Sequence, residues 1–597
     1  MSTQEFRIEG DPRDIQDRLS IRKWQNGYSF ETDVTRIGNG LLGTKVETLL
    51  SISHEVRQSN AKIWDSDVDI ALPHMHVIAT DYFDQFIAQN GLNTLPFNQM
   101  SDNEIARAFV DGFLPTELVV RLYSLVELYG VPLSVRPSRL TALPFSYAND
   151  GIIRCKMVPN NQDTVEERAI VLQDAVKLIY ATSFSREYRD HLQCIGQDVS
   201  DDKTAVIIQE VSGERHGDLF FPIISGTAYS CNFFPQRQNG LFDGSASLTM
   251  GLAKGSTPEV AKPWCYAMTA PSASVPFTSA RHKLTTTQTR FFAIDMTAKG
   301  GDRLDTFEYL TTGPLDAAET APGFELIAST YDAQNDRFVP GIGNDGARVV
   351  DFAPLLVLKA RKLNDSLRRV QRRIEDTLFD KVAIEFAVTT DSNGDKLHID
   401  LLQVTPLFMH TTRVRIDEEV LSDDKAVIAS ERALGNGMLY PVSDIVYIDP
   451  ETFSTDKGHL AASEVEAVNR TLVASNRPYI FIAMGRIGTS DPFRGLQVMW
   501  HQISGARVFI ETDLPDAFAD FSGGSHFFSD LVSCGSFYLY VPMKGRHHLD
   551  FERLKQMPAV TSKTFVRHVR SAVPLKVMVD GRTQRGVVVE DRANVLP

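Results

Sequence analysis

Val382-Ala-Ile-Glu-Phe-Ala-Val388, then Asn393-Gly394, then Leu397-His-Ile-Asp-Leu-Leu-Gln403 is a pair of apolar runs divided by a turn dipeptide. Short apolar runs split by Asn-Gly predict two strands joined in a hairpin-like manner. Each run carries one polar residue of interest, Glu385 in the first and Gln403 in the second. An uncompensated carboxylate or amide inside a sheet is costly. Two of them on adjacent strands can share a divalent cation or the nucleotide bound to it.

Upstream of the pair, Leu363, Leu367, Val370, Ile374 and Leu378 recur at helical spacing, with Arg368, Arg369, Arg372 and Arg373 on the other face, which reads as solvated. Between about 212 and 300, Gly, Ser, Thr and Pro rise and short strands are expected. Thr204–Val211 and Val131–Arg136 read as strands, the latter ending in Pro137-Ser138-Arg139, and 165–184 as a helix buried through Leu172, Val176 and Ile179. His76-Val-Ile-Ala reads as a strand leading into a helix with Tyr82, Phe83 and Phe86 on one face. His74 and His76 alternate on that strand with no third ligand in reach, so they read as ordinary strand histidines. Further back, Ile37-Gly-Asn-Gly-Leu-Leu-Gly-Thr-Lys45 is a glycine-rich turn running into a helix, a pattern suited to an anion. Residues 1–35 read as an arm with a short helix around Ile15–Trp24.

Downstream, the charge-rich 411–430 reads as linker or exposed helix, and a second α/β unit follows. Its strand from Pro478 delivers the loop Gly485-Arg486-Ile-Gly488-Thr-Ser-Asp491. That loop is either a ligand site at a strand's carboxyl end, with Arg486 and His526 facing one cleft, or a tight turn in which Arg486 pairs with Asp491. The tail reads as a basic β-hairpin whose turn begins at Asp580-Gly581.

Composition narrows the function classes. In 597 residues, 61 Lys and Arg stand against 76 Asp and Glu, a net charge of −15. That balance argues against non-specific nucleic-acid binding, while a few local cations would still serve a small anion. No apolar run reaches the length of a membrane span, and the first residues lack the apolar core of a secretory signal. The five cysteines are scattered without zinc-like spacing, as in a reducing compartment. The expectation is a cytoplasmic protein with no membrane partner.

The order of segments resembles the N-terminal, ATP-grasp nucleotide-binding region of pyruvate phosphate dikinase and phosphoenolpyruvate synthase. It is closest to bacterial proteins that carry this PEP/pyruvate-binding domain without the phosphohistidine and TIM-barrel domains. The shared pattern runs over about 36–410: Gly43-Thr-Lys45, Val135-Arg136-x-Ser138, Ala175–Phe184, Ile208-Gln209-Glu-Val, Gly213-Glu-Arg-His216-Gly-Asp218, Asp243-Gly244, Gly251-Leu-Ala-Lys254, Ile384-Glu385-Phe and Leu402-Gln403. The resemblance implies an α/β (α+β) fold with an arm at 1–35 and an ATP-grasp-like core at 36–410 (small lobe about 36–130, large lobe about 131–410). A linker at 411–440, a C-terminal α/β domain at 441–560 and the hairpin tail at 561–597 complete it.

The resemblance further implies ATP and Mg²⁺ as cofactors. Lys45 would reach the phosphates, Arg136 would clamp a phosphoryl oxygen, and Gln209 would lie beside the adenine. Glu385 and Gln403 would face the ribose and magnesium. Within about 36–410 the chain departs from the pattern in three places, and in the C-terminal unit Gly-Pro-Gly-Arg-Trp-Gly is replaced by Ala483-Met-Gly-Arg-Ile-Gly488. An acidic pair is missing at Ala142-Leu143, Pro137 stands in a segment expected to be a phosphate-binding loop, and Thr405 replaces an Arg. Arg139 is a candidate substitute for a lost cation, and His216 reads as a polar loop histidine. Two functional readings follow: phosphoryl transfer from ATP to an unknown acceptor, or a catalytically weakened relative acting as a binding, scaffold or regulatory subunit for a protein partner. Neither phosphohistidine motif nor barrel is found, so conversion of pyruvate to PEP by this chain alone is not expected.

Overall fold

The structure is a computed structural model. It describes residues 21–591 apart from 24–33, 61–66, 141–154, 233–242, 254–262, 273–278, 408–413, 422–425 and 515–535, positions 344 and 582, and some positions within 187–201, 490–494 and 545–548. The architecture is mixed α/β, with several mixed sheets.

The first sheet runs in the order Ile21–Lys23, Val34–Ile37, Met75–Ile78, Thr204–Glu210, Leu133–Arg139, Lys156–Val158. Its first three strands are parallel and the rest antiparallel. Alternation sorts its side chains. Val135, Val206 and Ile208 pack on the helices Thr80–Gln89, Asp102–Val110, Thr116–Leu128 and Val165–Ala181, whereas Met75, Val77, Ala205 and Ile207 join the neighbouring core. The helices at 102 and 165 start at full capping boxes, Ser101 with Glu104 and Thr164 with Glu167. The helix expected around Ile15–Trp24 is not what forms over Ile21–Lys23, which pairs in parallel with Val34–Arg36. The rest of that expectation lies outside the described residues.

The second sheet runs Trp264–Ala267, Ser245–Thr249, Ile224–Tyr229, Val382–Thr390, Leu397–Pro406, Val68–Ala71. The expected hairpin is there, with Gly394 at φ 72° in its turn. One face is apolar: Ile384, Phe386, Val388, Ile399 and Leu401 pack in one core with Leu363, Leu367, Val370 and Ile374 of the helix Leu363–Leu378 and Val46, Leu49 and Ile52 of the helix Thr44–Asn60. The other face is polar. A bulge beside Glu385 and Phe386 keeps Glu385 directly opposite Gln403, and the same row continues through Thr227 and Ser247. Smaller sheets fill much of 214–350, including Leu219–Phe221 with Arg290–Asp295 and Ala328–Asp332 with its two neighbours.

The C-terminal sheet has nine strands. Eight run in the order Ala426–Ser430, Arg585–Glu590, Val566–Asp580, Gly437–Ile448, Tyr479–Met484, Ala506–Thr512, Phe537–Tyr540, Arg432–Leu434, and Ala559–Ser562 pairs with Val566–Asp580. The helix Gly458–Ala474 makes the crossover between two of its parallel strands. Two expected boundaries change here. Residues 426–440, read as linker, contribute three strands to this sheet, and the hairpin of 561–597 forms but lies within the sheet rather than as a separate tail. Among the described residues no helix is long and apolar enough to cross a membrane.

Candidate functional site

Strand alternation sends Arg136 and Ser138 to the face of the first sheet that looks toward the second, and Arg139 to the other. Arg136 reaches across. Its Nη1 donates to the Leu402 carbonyl at 3.0 Å, and its Nη2 donates to Gln403 Oε1 at 2.7 Å and lies 3.4 Å from Glu385 Oε2. The Arg136 and Glu385 side chains are 13% and 19% exposed, so the pair is held where water screens it weakly. The bulge turns the Leu402 carbonyl into a third acceptor; nothing in the sequence signals it. Three of the expected residues, separated by more than two hundred positions, thus meet in one hydrogen-bonded set.

Lys45, at the start of the helix Thr44–Asn60, interacts with Arg136 and Glu385 through its charge. Burial lowers its ammonium pKa, the Arg136 guanidinium lowers it further, and Glu385 only partly offsets both, leaving it at about 7. The helix start is clamped to the Arg136 strand: Thr44 Oγ1 donates to the Arg139 carbonyl at 3.2 Å, and the Val46 N–H donates to Ser138 Oγ at 3.4 Å. The clamp needs Gly43, which sits at φ +80°. A Cβ there would come within 2.3 Å of the Ser138 carbonyl oxygen. Gly43→Ala is therefore expected to cost about 2 kcal/mol or more, read as a fall in the thermal midpoint, because both backbone conformation and space oppose it.

The glycine-rich turn before that helix does not provide an anion cradle. Asn39 N–H donates to Asp81 Oδ2 at 2.8 Å, Leu41 N–H donates to Thr80 Oγ1 at 2.9 Å, and Arg36 donates to the carbonyls of Asn39 and Gly40. Donors that would face a phosphate are committed, and a carboxylate lies against Gly38. Gln209 stands on the face of the first sheet that looks toward the second, in register with Ser134. Its Nε2 donates to the Pro73 carbonyl at 3.2 Å, outside the Arg136 set.

Several secondary expectations change. Pro137 is in a strand, paired with Val206, and removes no donor from a loop. Arg139 does not stand on the Arg136 face, as a substitute for the cation that the resemblance leads one to expect would. It is buried on the opposite face, where its Nη2 donates to Thr182 Oγ1 and its guanidinium lies 3.8 Å from the Tyr188 ring centroid. Thr405, where the resemblance leads one to expect Arg, accepts from Gln403 Nε2 at 3.1 Å. His76 lies in the strand Met75–Ile78 with its Nε2 2.7 Å from Tyr129 Oη, whereas His74 falls just before that strand rather than on it, with its Nε2 3.2 Å from Thr35 Oγ1. His216 lies in the short strand Glu214–His216 against Phe221. The Ala142-Leu143 positions, Asp491 and His526 lie outside the described residues. In the C-terminal unit, Glu511 carries the loop after Met484. It accepts from Ile487 N–H at 2.7 Å and from Tyr538 Oη at 2.7 Å, a buried carboxylate that the sequence reading did not single out.

No protein-family model matches this chain, and no curated protein matches it.

Proposed function

We propose that the chain binds Mg-ATP in the cleft between its first and second sheets, as an ATP-grasp protein related to pyruvate phosphate dikinase and phosphoenolpyruvate synthase, and that it transfers the terminal phosphoryl group to an acceptor. The observation that carries this reading is Arg136 hydrogen-bonded to Gln403 and the Leu402 carbonyl beside Glu385, with the Lys45 charge acting on both Arg136 and Glu385. Two cations over one carboxylate leave a local positive excess in a chain of net charge −15. Polyphosphate is the ligand chemistry that such a fork and point charge serve, because phosphoryl transfer rests on positioning and on neutralising spread negative charge.

The donor set suits magnesium that arrives with phosphates. Glu385 and Gln403 offer hard oxygen atoms, but one oxygen of each already faces Arg136. Mg²⁺ is typically held by one or two carboxylates together with substrate phosphates and water. The ion, once bound, would neutralise charge on the transferred group. Arg136 would exchange Gln403 and Glu385 for phosphoryl oxygens, freeing both side chains to turn toward the ion. Lys45 would hold its proton against the phosphate charge, and Thr227, in the Glu385 row, would border the ligand.

Millimolar Mg-ATP is expected to raise the thermal midpoint of the wild-type chain by mass action. Arg136→Met is expected to remove the shift, and Mg²⁺ without nucleotide to produce little. Absence of a shift in the wild type counts against the reading. The contact between Thr405 and Gln403 favours a second form of it, in which the nucleotide binds without turnover. Phosphate release measured alongside the melt separates the two, since a shift without release identifies a binding subunit.

A further inference from the structure

We propose a second, independent site in the C-terminal unit: Glu418, Glu431 and His547 bind a divalent transition-metal ion of the zinc class. The three side chains come from separate segments. Glu418 opens the short helix Glu418–Leu421, Glu431 lies between the strands Ala426–Ser430 and Arg432–Leu434, and His547 follows the strand Phe537–Tyr540. Two carboxylate oxygens and one imidazole nitrogen nevertheless lie within 4.8 Å of one another, a convergence found once among the described residues. It is far from the Arg136 set in sequence and shares no residue with it.

The second observation is His547 Nε2. It is shielded from solvent and has no hydrogen-bond partner among the described residues. A buried ring nitrogen left in this way is destabilising, whichever tautomer is present. The two carboxylates stand close enough to this imidazole to surround a shared cation with one of its ring nitrogens. Arg585 Nη2 neutralises part of this charge by pairing with Glu418 Oε2 at 2.9 Å. Two carboxylates and one guanidinium leave a net negative cluster, which suits a dication and repels an anion.

Ligand chemistry selects the metal. Imidazole with carboxylate favours zinc, cobalt or nickel over magnesium and calcium, which prefer oxygen alone. Ligand distances near ~2.0–2.2 Å require the three atoms to close in slightly, which the two flexible glutamate side chains allow. Three protein ligands leave a fourth tetrahedral position for water. The ion would fasten Glu418 and Glu431 to His547, which follows the strand Phe537–Tyr540.

Titration of the full chain with micromolar Zn²⁺ tests the site. A rise in thermal midpoint of several degrees is expected, with none from equimolar Mg²⁺, and His547→Ala and Glu431→Gln should each abolish it. Glu431 is exposed, so its variant folds even where the His547 change disturbs packing. Bound Co²⁺ should show visible d–d absorption without a thiolate charge-transfer band, because no cysteine is in the set. No shift in the wild type, a shift that survives Glu431→Gln, or a thiolate band from Co²⁺ would each overturn the proposal.

Discussion

Lys45→Met is expected to make the protein more stable at pH 6 to 7 and, at the same time, to remove its response to Mg-ATP. The first effect follows from linkage. Burial and the Arg136 charge hold the Lys45 amine at about 7, against 10.5 for an ordinary lysine. Below pH 7 the folded chain keeps a partly desolvated cation beside another cation. Between 7 and 10.5 the unfolded chain binds the extra proton, so stability rises with pH across that window. Methionine has nearly the same shape and no charge, and it removes the burden where it is largest, at or below pH 7. A shift of this size corresponds to roughly 2–4 kcal/mol after allowance for solvent screening. The gain should shrink steadily toward pH 10. Thermal melts of both proteins at pH 6.5 and pH 10 read it directly, and a destabilised variant at pH 6.5 would show that Lys45 is held chiefly as a partner of Glu385.

The second effect concerns the same proton. An anionic ligand favours protonated Lys45, so binding near pH 8 should take up a fraction of a proton from buffer. Calorimetric heats in two buffers of different ionisation enthalpy should therefore differ for the wild type and coincide for Lys45→Arg, which stays charged. A residue that lowers stability at the centre of a polar cluster is what the proposed ligand site would contain.

The parts of this cleft that were legible in the sequence are those set by local rules. Period-two alternation and Asn393-Gly394 are enough to place Glu385 and Gln403 on neighbouring strands, and the structure puts them opposite each other. The helix that carries Lys45 is announced by Gly43-Thr44. Long-range pairing decided the rest. The strand Ala426–Ser430 reads as linker because it is short and follows a charged run, and its partner Gly586–Val589 lies some 160 residues away. Pro137 suggests a loop, yet the neighbouring strand Lys156–Val158 pairs only through Val135, so the proline's missing N–H faces no ladder partner. The glycine turn at 37–43 resembles an anion loop until Thr80 and Asp81, forty residues on, take its donors.

Asp444→Ala is expected to be the most damaging single change in the C-terminal unit. Asp444 is 1% exposed and lies where the strand Gly437–Ile448 meets Tyr479 on one side and Arg570 on the other. Its Oδ1 accepts from His568 Nε2 at 2.8 Å and Arg570 Nε at 2.9 Å, and its Oδ2 accepts from Arg477 Nε at 2.8 Å. Burial by itself would raise this carboxyl; the hydrogen bonds from His568, Arg570 and Arg477 outweigh it and hold it at about 2. Truncation takes the shared acceptor from one buried imidazole and from two guanidiniums that are 39% and 41% exposed and can turn to water, a loss of about 2–3 kcal/mol. Asp444→Asn keeps one acceptor and should fall between the two. The sign of the pH dependence follows from the lowered value. The carboxylate's contribution is complete above the unfolded value of 3.8 and is lost as pH falls toward 2, about 2–2.5 kcal/mol in all. Urea midpoints of wild type and Asp444→Ala should therefore lie far apart at pH 7 and draw together by pH 2.5. A difference below about 1 kcal/mol at pH 7 would mean that the three donors find water as readily as Asp444, and that the sheet is held by its apolar ladder of Ile445, Ile480 and Val508 alone.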